Sequence, residues 1–361
     1  MLFRKKQKNK CILTLEDVEI GAWPEQNFLL GLLQNQKTGW DWVMNQMIQL
    51  RGTHYISHEY GVKDMSITFY PYGIHQLTPN LFDLCPFINK YTIPKSLVIG
   101  NYGRFHEFVK SSLNNGYYLS TFLDQFFRDD FHGKHGFHHP NFIYGFDDGE
   151  KSIYLADNFE KGKYAKKKVS YEQIDRAFAL VPGDQWEVSV FLYKLVPYQH
   201  TFYAPYVKEQ IEDYLNPRKG ICYLDRTVCM NPHYQGEDYE NEVFYGIECY
   251  QLLLNYLNAI QHKNREYPEE DWRSFVMLWD HKKLMVRRYE FMAEKEYMVK
   301  DATLYRELKE LEKDCEITLN LFLKYTLTGD GKIIERLITR IEQIREQDVK
   351  CMRKFARGII L

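Results

Sequence analysis

The chain lacks the cysteine pattern of a zinc ribbon or a redox enzyme. Its 361 residues carry 7 cysteines, at 11, 85, 222, 229, 249, 315 and 351, an odd and scattered set without a CxxC pair. That spacing supports neither metal nor disulfide chemistry, and reduced thiols in a cytosolic protein are the simplest account. No run of about 18 apolar residues occurs, so no membrane span is expected. The basic start, MLFRKKQKNK, reads as a frayed tail, and the acids of CILTLEDVEIG interrupt any signal-peptide core. Charge of one sign is also missing: the net is −2, which gives no field for nucleic acid or an anionic membrane. Internal repeats and low-complexity stretches are absent. What remains is a cytoplasmic globular protein with no nucleic-acid or membrane partner.

Aromatic residues are plentiful, with 28 Tyr and 23 Phe. They suit bulky cores and a tyrosine-rich surface, or an aromatic-walled cleft for an organic substrate. The length suggests two domains, and the texture changes near residues 197–220. Before that point strand-like runs alternate with short helices: Tyr117–Phe127, Phe142–Phe146, Ser152–Leu155 and Glu187–Leu195 are β-branched and aromatic. Asp147-Asp148-Gly149 reads as a hairpin turn, and Ser170-Tyr171-Glu172-Gln173 as a capping box. Pro24 fits a first helical position; Phe28, Leu29, Leu32 and Leu33 then recur at helical spacing, which predicts a helix with a buried stripe. After about residue 205 helical periods dominate: Leu304, Leu308, Leu311, Cys315 and Leu319, then Ile334, Leu337, Ile338, Ile341 and Ile344, joined by Thr328-Gly329-Asp330-Gly331. The expected fold class is α+β, with a domain over 11–197 and a mostly helical domain over 198–361.

The densest set of reactive groups lies at 131–159. His132, His135, His138 and His139 are close enough in sequence to suggest a metal site. The run is Gly-rich and has no helix to face four rings together, so loop residues are the better reading. His139 and Asp157 make a different pattern. The first precedes the strand FIYGF and the second closes SIYLAD, so the hairpin between them would set the two side by side. A carboxylate there fixes the imidazole tautomer and supports the imidazolium, which is the base-and-orienter half of a nucleophilic triad. Asn158 offers the same part, and a surface hairpin with a chance His is the bland alternative.

The segment from His139 to Asp147 (HPNFIYGFD), followed by Ile153–Asp157 (IYLAD), resembles the His and Asp strands of papain-like cysteine peptidases of the bacteriocin-leader type. Closer still is the family of the butirosin-biosynthesis acyltransferase, whose members occur among natural-product and nonribosomal-peptide assembly genes. The likeness continues weakly through Asn158-Phe159, Gly162-Lys163-Tyr164, Ser170-Tyr171-Glu172, Tyr245-Gly246-Ile247 and Asp280–Met285. It implies a papain-like cysteine-protease core over 11–197. It also implies acyl transfer through a Cys thioester, from a carrier protein to an amine, with no metal or organic cofactor. An acyl or peptidyl carrier protein and a small-molecule or peptide substrate would be the partners.

In such enzymes the nucleophilic Cys opens the central helix, where the helix dipole and the His lower its pKa. Here the residues before Pro24 are Gly21-Ala22-Trp23, so Ala22 stands at the nucleophile position. Three readings stay open: a natural pseudoenzyme that keeps a binding cleft, an engineered Cys-to-Ala variant, or a misplaced helix with another cysteine acting. Cys11 and Cys85 open no helix and read as structural thiols. Trp23, Gln26, Asp124, Gln125 and Asn158 are expected near the substrate. Asp124 and Gln125 could instead be an exposed polar strand end. Gln26 or Glu19 could join the helix-start amides in an oxyanion hole. His281 lies on an amphipathic helix and suits a surface or core role. Lys282, Lys283, Arg287 and Arg288 form a solvated face, or a dock for an acidic carrier. The rivals to acyl transfer are a non-catalytic module binding a carrier protein or peptide, and a cysteine peptidase or thioesterase.

Overall fold

The structure is a computed structural model; it describes residues 9–57, 62–70, 81–128, 135–160, 162–183, 189–217, 243–262 and 271–361. The class is α+β, and among the described residues every sheet pairing is antiparallel. Two compact units form, neither of them contiguous: Met1–Gly39 with Leu81–Gln199, and Trp40–Asn80 with His200–Leu361. A division at 197 lies two residues from one join, but the stretch 40–80 clusters with the second unit and not the first. The N-terminal tail through residue 8, His132, Cys222 and Cys229 lie outside the described residues.

In the first unit, β4 (Ile88–Pro94), β9 (Ser189–Leu195), β5 (Tyr117–Asp124), β6 (His138–Asp147), β7 (Ser152–Glu160) and β8 (Lys163–Ser170) form one sheet in that order, and β1 (Lys10–Ile12) pairs with the far end of β6. Successive strand residues face opposite sides. On one side α5 (Phe105–Asn114) and α6 (Tyr171–Leu180) share a core with Leu119, Leu123, Ile143, Phe146 and Leu155. Phe105 and Phe178 stack at 3.9 Å in it. α6 opens on the expected capping box, with Ser170 Oγ accepting from the Gln173 amide and Gln173 Oε1 accepting from the Ser170 amide. Phe142, the neighbour of Ile143, meets α1 (Pro24–Leu33) by stacking on Phe28 with ring centroids 4.3 Å apart. Pro24 is at the start of that helix as expected.

The second unit is mostly helical, but it also holds a three-stranded sheet, β10 (Val243–Tyr245), β2 (Leu50–Ser57) and β3 (Val62–Phe69). Its helices include α2 (Gly39–Asn45), α7 (Ala204–Leu215), α8 (Cys249–Gln261), α9 (Arg273–Glu294), α10 (Ala302–Thr328) and α11 (Gly331–Gly358). Gly329 caps α10 in the left-handed conformation and Asp330 caps α11. Gly52 lets β2 approach α8, because a Cβ there would lie 2.7 Å from Leu252 Cδ2.

Two buried side chains of α9 tie residues 43–48 to this unit. Arg288 donates to the carbonyls of Met44 (2.8 Å) and Gln46 (2.5 Å), and His281 Nε2 donates to that of Ile48 (2.8 Å). A cation against the last carbonyls of α2 is favourable electrostatics, and burial lowers the Arg288 pKa to about 9. The expectation that Lys282 and Arg288 lie on a solvated or docking face is therefore corrected: both are buried, matched to carbonyls and a carboxylate. Lys283 and Arg287 lie over the rings of Trp279 and Trp40.

Candidate active site

The β6–β7 hairpin brings its two ends together. Asp147 Oδ1 accepts from the amides of Gly149 and Glu150 and fixes the turn, and the strands then pair from Asp147↔Ser152 to Phe142↔Ala156, with a register shift between Gly145 and Ile143. His139 Nδ1 donates to Asp157 Oδ2 at 2.8 Å. Asp157 is fully buried, and its oxygens also accept from Asn141 Nδ2 (2.5 Å) and the Asn158 amide (2.7 Å). Three donors on one buried carboxylate fix it in place. The His139 side chain is 29% exposed, and its hydrogen bonds are made through Nδ1, so Nε2 is left for chemistry. Burial opposes its imidazolium, but the charge and hydrogen bond of Asp157, with the charge of Glu25, outweigh burial and raise the pKa above its ordinary value.

Gln125 stands behind this pair. Its Nε2 donates to Leu123 O (2.7 Å) and Asn141 Oδ1 (3.1 Å), which orients Asn141 toward Asp157. Asp124 accepts from the amides of Phe126 and Gly136, with His135 Nδ1 3.4 Å and His138 Nε2 3.7 Å away. Both Asp124 and Gln125 are buried, so the exposed strand end does not fit; Asp124 secures the loop and Gln125 secures Asn141. Asn158 is half-buried, and its side chain is not the orienter of His139, since Asp157 holds that place. Among the described residues no three His, Cys, Asp or Glu groups gather to hold a metal.

At the helix end, Ala22 is buried and lies two residues before Pro24, with Trp23 as N-cap. The Trp23 carbonyl accepts from the amides of Gln26 and Asn27, and the Glu25 amide bonds the carboxylate of its own side chain. Those first-turn amides are occupied, which weighs against an oxyanion hole built from them. Gln26 is buried on α1 and Glu19 is exposed. Cys11 and Cys85 stay structural, the former donating to Leu113 O and the latter with its thiol pKa pushed to about 12 by burial.

The group that the sequence reading missed is Glu25. Phe28, one turn after it, stacks on Phe142, three residues after His139, so the first turn of α1 meets the His139 end of β6. Glu25 Oε2 is buried and has no hydrogen-bond partner among the described residues. Burial raises its pKa to about 7, against the lowering effect of its backbone hydrogen bond and of His139. The only hint in the sequence was an acid in the first turn after a proline. Tyr164, on β8, is a second such group: its OH is buried without a partner, and burial followed by the charge of Asp157 lifts its pKa well above the ordinary value.

Glu25 and His139 both bind protons more tightly folded than unfolded, so this site makes the protein less stable as pH rises. The Glu25 contribution is fully present below 4.5 and is lost by about 7; that of His139 is lost from 6.5 upward. At about 1.4 kcal/mol per unit, discounted for a side chain that is only partly buried, Glu25 accounts for ~2 kcal/mol. Urea unfolding at pH 5 and pH 8 is expected to show this much less pH-dependent loss in Glu25→Gln than in the parent. Equal losses in both proteins would mean a solvated carboxylate.

Compared with family models and with curated proteins, the chain matches none. No helix among the described residues is long and apolar enough to cross a membrane.

Proposed function

We propose that the first unit is a papain-like acyl-transfer core, of the type that passes an acyl group from a carrier protein through a Cys thioester to an amine in natural-product biosynthesis. In this chain Ala22 occupies the nucleophile position, and the setting is cytoplasmic. The observation that carries this reading is the 2.8 Å bond from His139 to a buried Asp157. A pair retained only as relic has no need of that distance, nor of three donors on the carboxylate. His139 would shuttle the proton between thiol and leaving group, with Asp157 orienting it and stabilising its charge. Asn141 and Gln125 would stiffen the orienter.

A second reading keeps the same cleft as a non-catalytic module that holds a carrier protein or peptide, and Ala22 itself favours it. A hydrolase, peptidase or thioesterase, would differ from the first reading only in taking water as acceptor.

The test restores a thiol. Ala22→Cys is expected to react with iodoacetamide at pH 7 at least ~10-fold faster than an ordinary exposed cysteine, because a paired imidazolium lowers the thiol pKa. Adding His139→Ala should abolish that advantage. Labelling at the ordinary rate would end the acyl-transfer reading and leave the binding module.

A further inference from the structure

We infer that Glu25 is a binding group for a primary ammonium, and that the carboxylate forms, with Tyr164, the seat of the acceptor amine beside His139. This rests on the acyl-transfer reading and names the acceptor's side of the site. Three observations support it. Glu25 Oε2 is buried with no hydrogen-bond partner among the described residues, and so is the Tyr164 OH. A buried acceptor left so is costly unless a ligand or water completes it. The groups facing Glu25 are His139 and Asp157, whose charges offset one another within their hydrogen-bonded pair, so the Glu25 charge is not balanced locally. Arg128 acts on the His139 side. Finally, the Phe137 ring lies nearly parallel to that of His139, at 21° and 6.0 Å, and supplies an apolar wall.

An ammonium answers all three: it donates to Oε2 and to the phenol oxygen, brings the missing positive charge, and carries an organic group that can rest on the wall. A carboxylate or phosphate would be repelled, and water would bring no charge. The chemical step is a proton transfer. The ammonium N–H breaks, the proton passes to Glu25 Oε2, and a neutral amine with a free electron pair remains beside a neutral carboxylic acid. Nothing else is consumed.

The experiment is calorimetric titration of the unaltered chain at pH 7.5 with benzylamine hydrochloride, and in parallel with benzyltrimethylammonium chloride. Saturable binding of the primary ammonium is expected, weakened about 10-fold in Glu25→Gln and a few-fold in Tyr164→Phe. Glu25→Asp, which keeps the charge, should fall between parent and Glu25→Gln. The quaternary ion, which has no N–H, should bind at least 10-fold more weakly than the primary one. Equal binding of the two cations, undiminished binding in Glu25→Gln, or no saturable binding would overturn the inference. The thiol-labelling test is independent of amines. Fast labelling without Glu25-dependent binding defeats only this inference, and slow labelling with it defeats only the acyl-transfer reading.

Discussion

Lys282→Met is expected to lose about 3–5 kcal/mol of stability in chemical unfolding followed by signals from the second unit. Lys282 and Asp348 form an ion pair at 2.5 Å with side chains 1% and 0% exposed. The ammonium spends its three donors on Asp348 Oδ2, Tyr214 OH (3.2 Å) and His281 Nδ1 (3.0 Å). Asp348 Oδ2 also accepts from Tyr214 OH (2.5 Å) and Tyr250 OH (2.9 Å). Burial, reinforced by Lys282, pushes the His281 pKa far below its ordinary value, so the ring stays neutral, accepts from Lys282 at Nδ1 and donates its one N–H, at Nε2, to Ile48 O. The phenols are held protonated by burial and Asp348. The network thus contains one cation and one anion, and it joins α7, α8, α9 and α11. Deleting the cation leaves a buried carboxylate with only two phenols. The double variant Lys282→Met/Asp348→Leu is expected to recover more than half of the loss, because no charge is then stranded. By contrast, Lys354→Met, which breaks the exposed pair with Glu307 at 2.6 Å, should cost under about 1 kcal/mol. Comparable losses for the two single variants would mean that Lys282 is solvated.

Phe28→Ala should cost about 3–5 kcal/mol in the first unit. Phe28 is fully buried and touches four rings: it stacks on Phe142 and meets Tyr118 edge-on at 5.9 Å, Tyr193 at 6.2 Å and Phe82 at 6.2 Å. The loss combines apolar transfer, a cavity among rings that cannot all close on it, and aromatic pair terms of about 0.5–1.5 kcal/mol. The same contact aligns α1 with β6, so Phe28→Ala made in the Ala22→Cys background should also remove the fast labelling under conditions where the protein is still folded. Phe28→Leu keeps most of the volume and should cost under about 2 kcal/mol. A Phe28→Ala protein as stable as its parent would contradict the packing of α1 on the sheet.

Local chemistry was legible in the sequence. Pro24 and the stripe from Phe28 to Leu33 marked α1, Ser170 to Gln173 marked a cap, and 18 residues with a central turn joined His139 to Asp157. What failed was charge and distance along the chain. Lys282 and Arg288 read as solvated because a lysine or arginine is rarely buried unless paired, and their partners lie far off, at Asp348 and at residues 44–46. Asp124 and Gln125 read as a strand end, since nothing nearby announces the amides and the asparagine that occupy them. Residues 40–80 belong with the second unit through carbonyls that bond side chains over 200 residues away, and backbone carbonyls leave no mark in composition. β10 is three residues long, too short for any period. Glu25 was visible only as a first-turn acid, which is commonplace; its place at the His139 end of β6 depends on the Phe28–Phe142 stack.

The chain leaves the ribosome in an order that its two units do not respect. The β2–β3 hairpin is complete once Phe69 has emerged, but β10 follows about 170 residues later. At about 5–20 residues per second, the wait is on the order of 10–30 s. During it the first unit receives all of its segments, Met1–Gly39 and Leu81–Gln199, while the hairpin between them holds an unpaired edge of the kind that recruits other chains. The nascent protein therefore passes through a stage in which a finished unit carries an unfinished loop, and a chaperone that binds exposed strand edges has that interval in which to act.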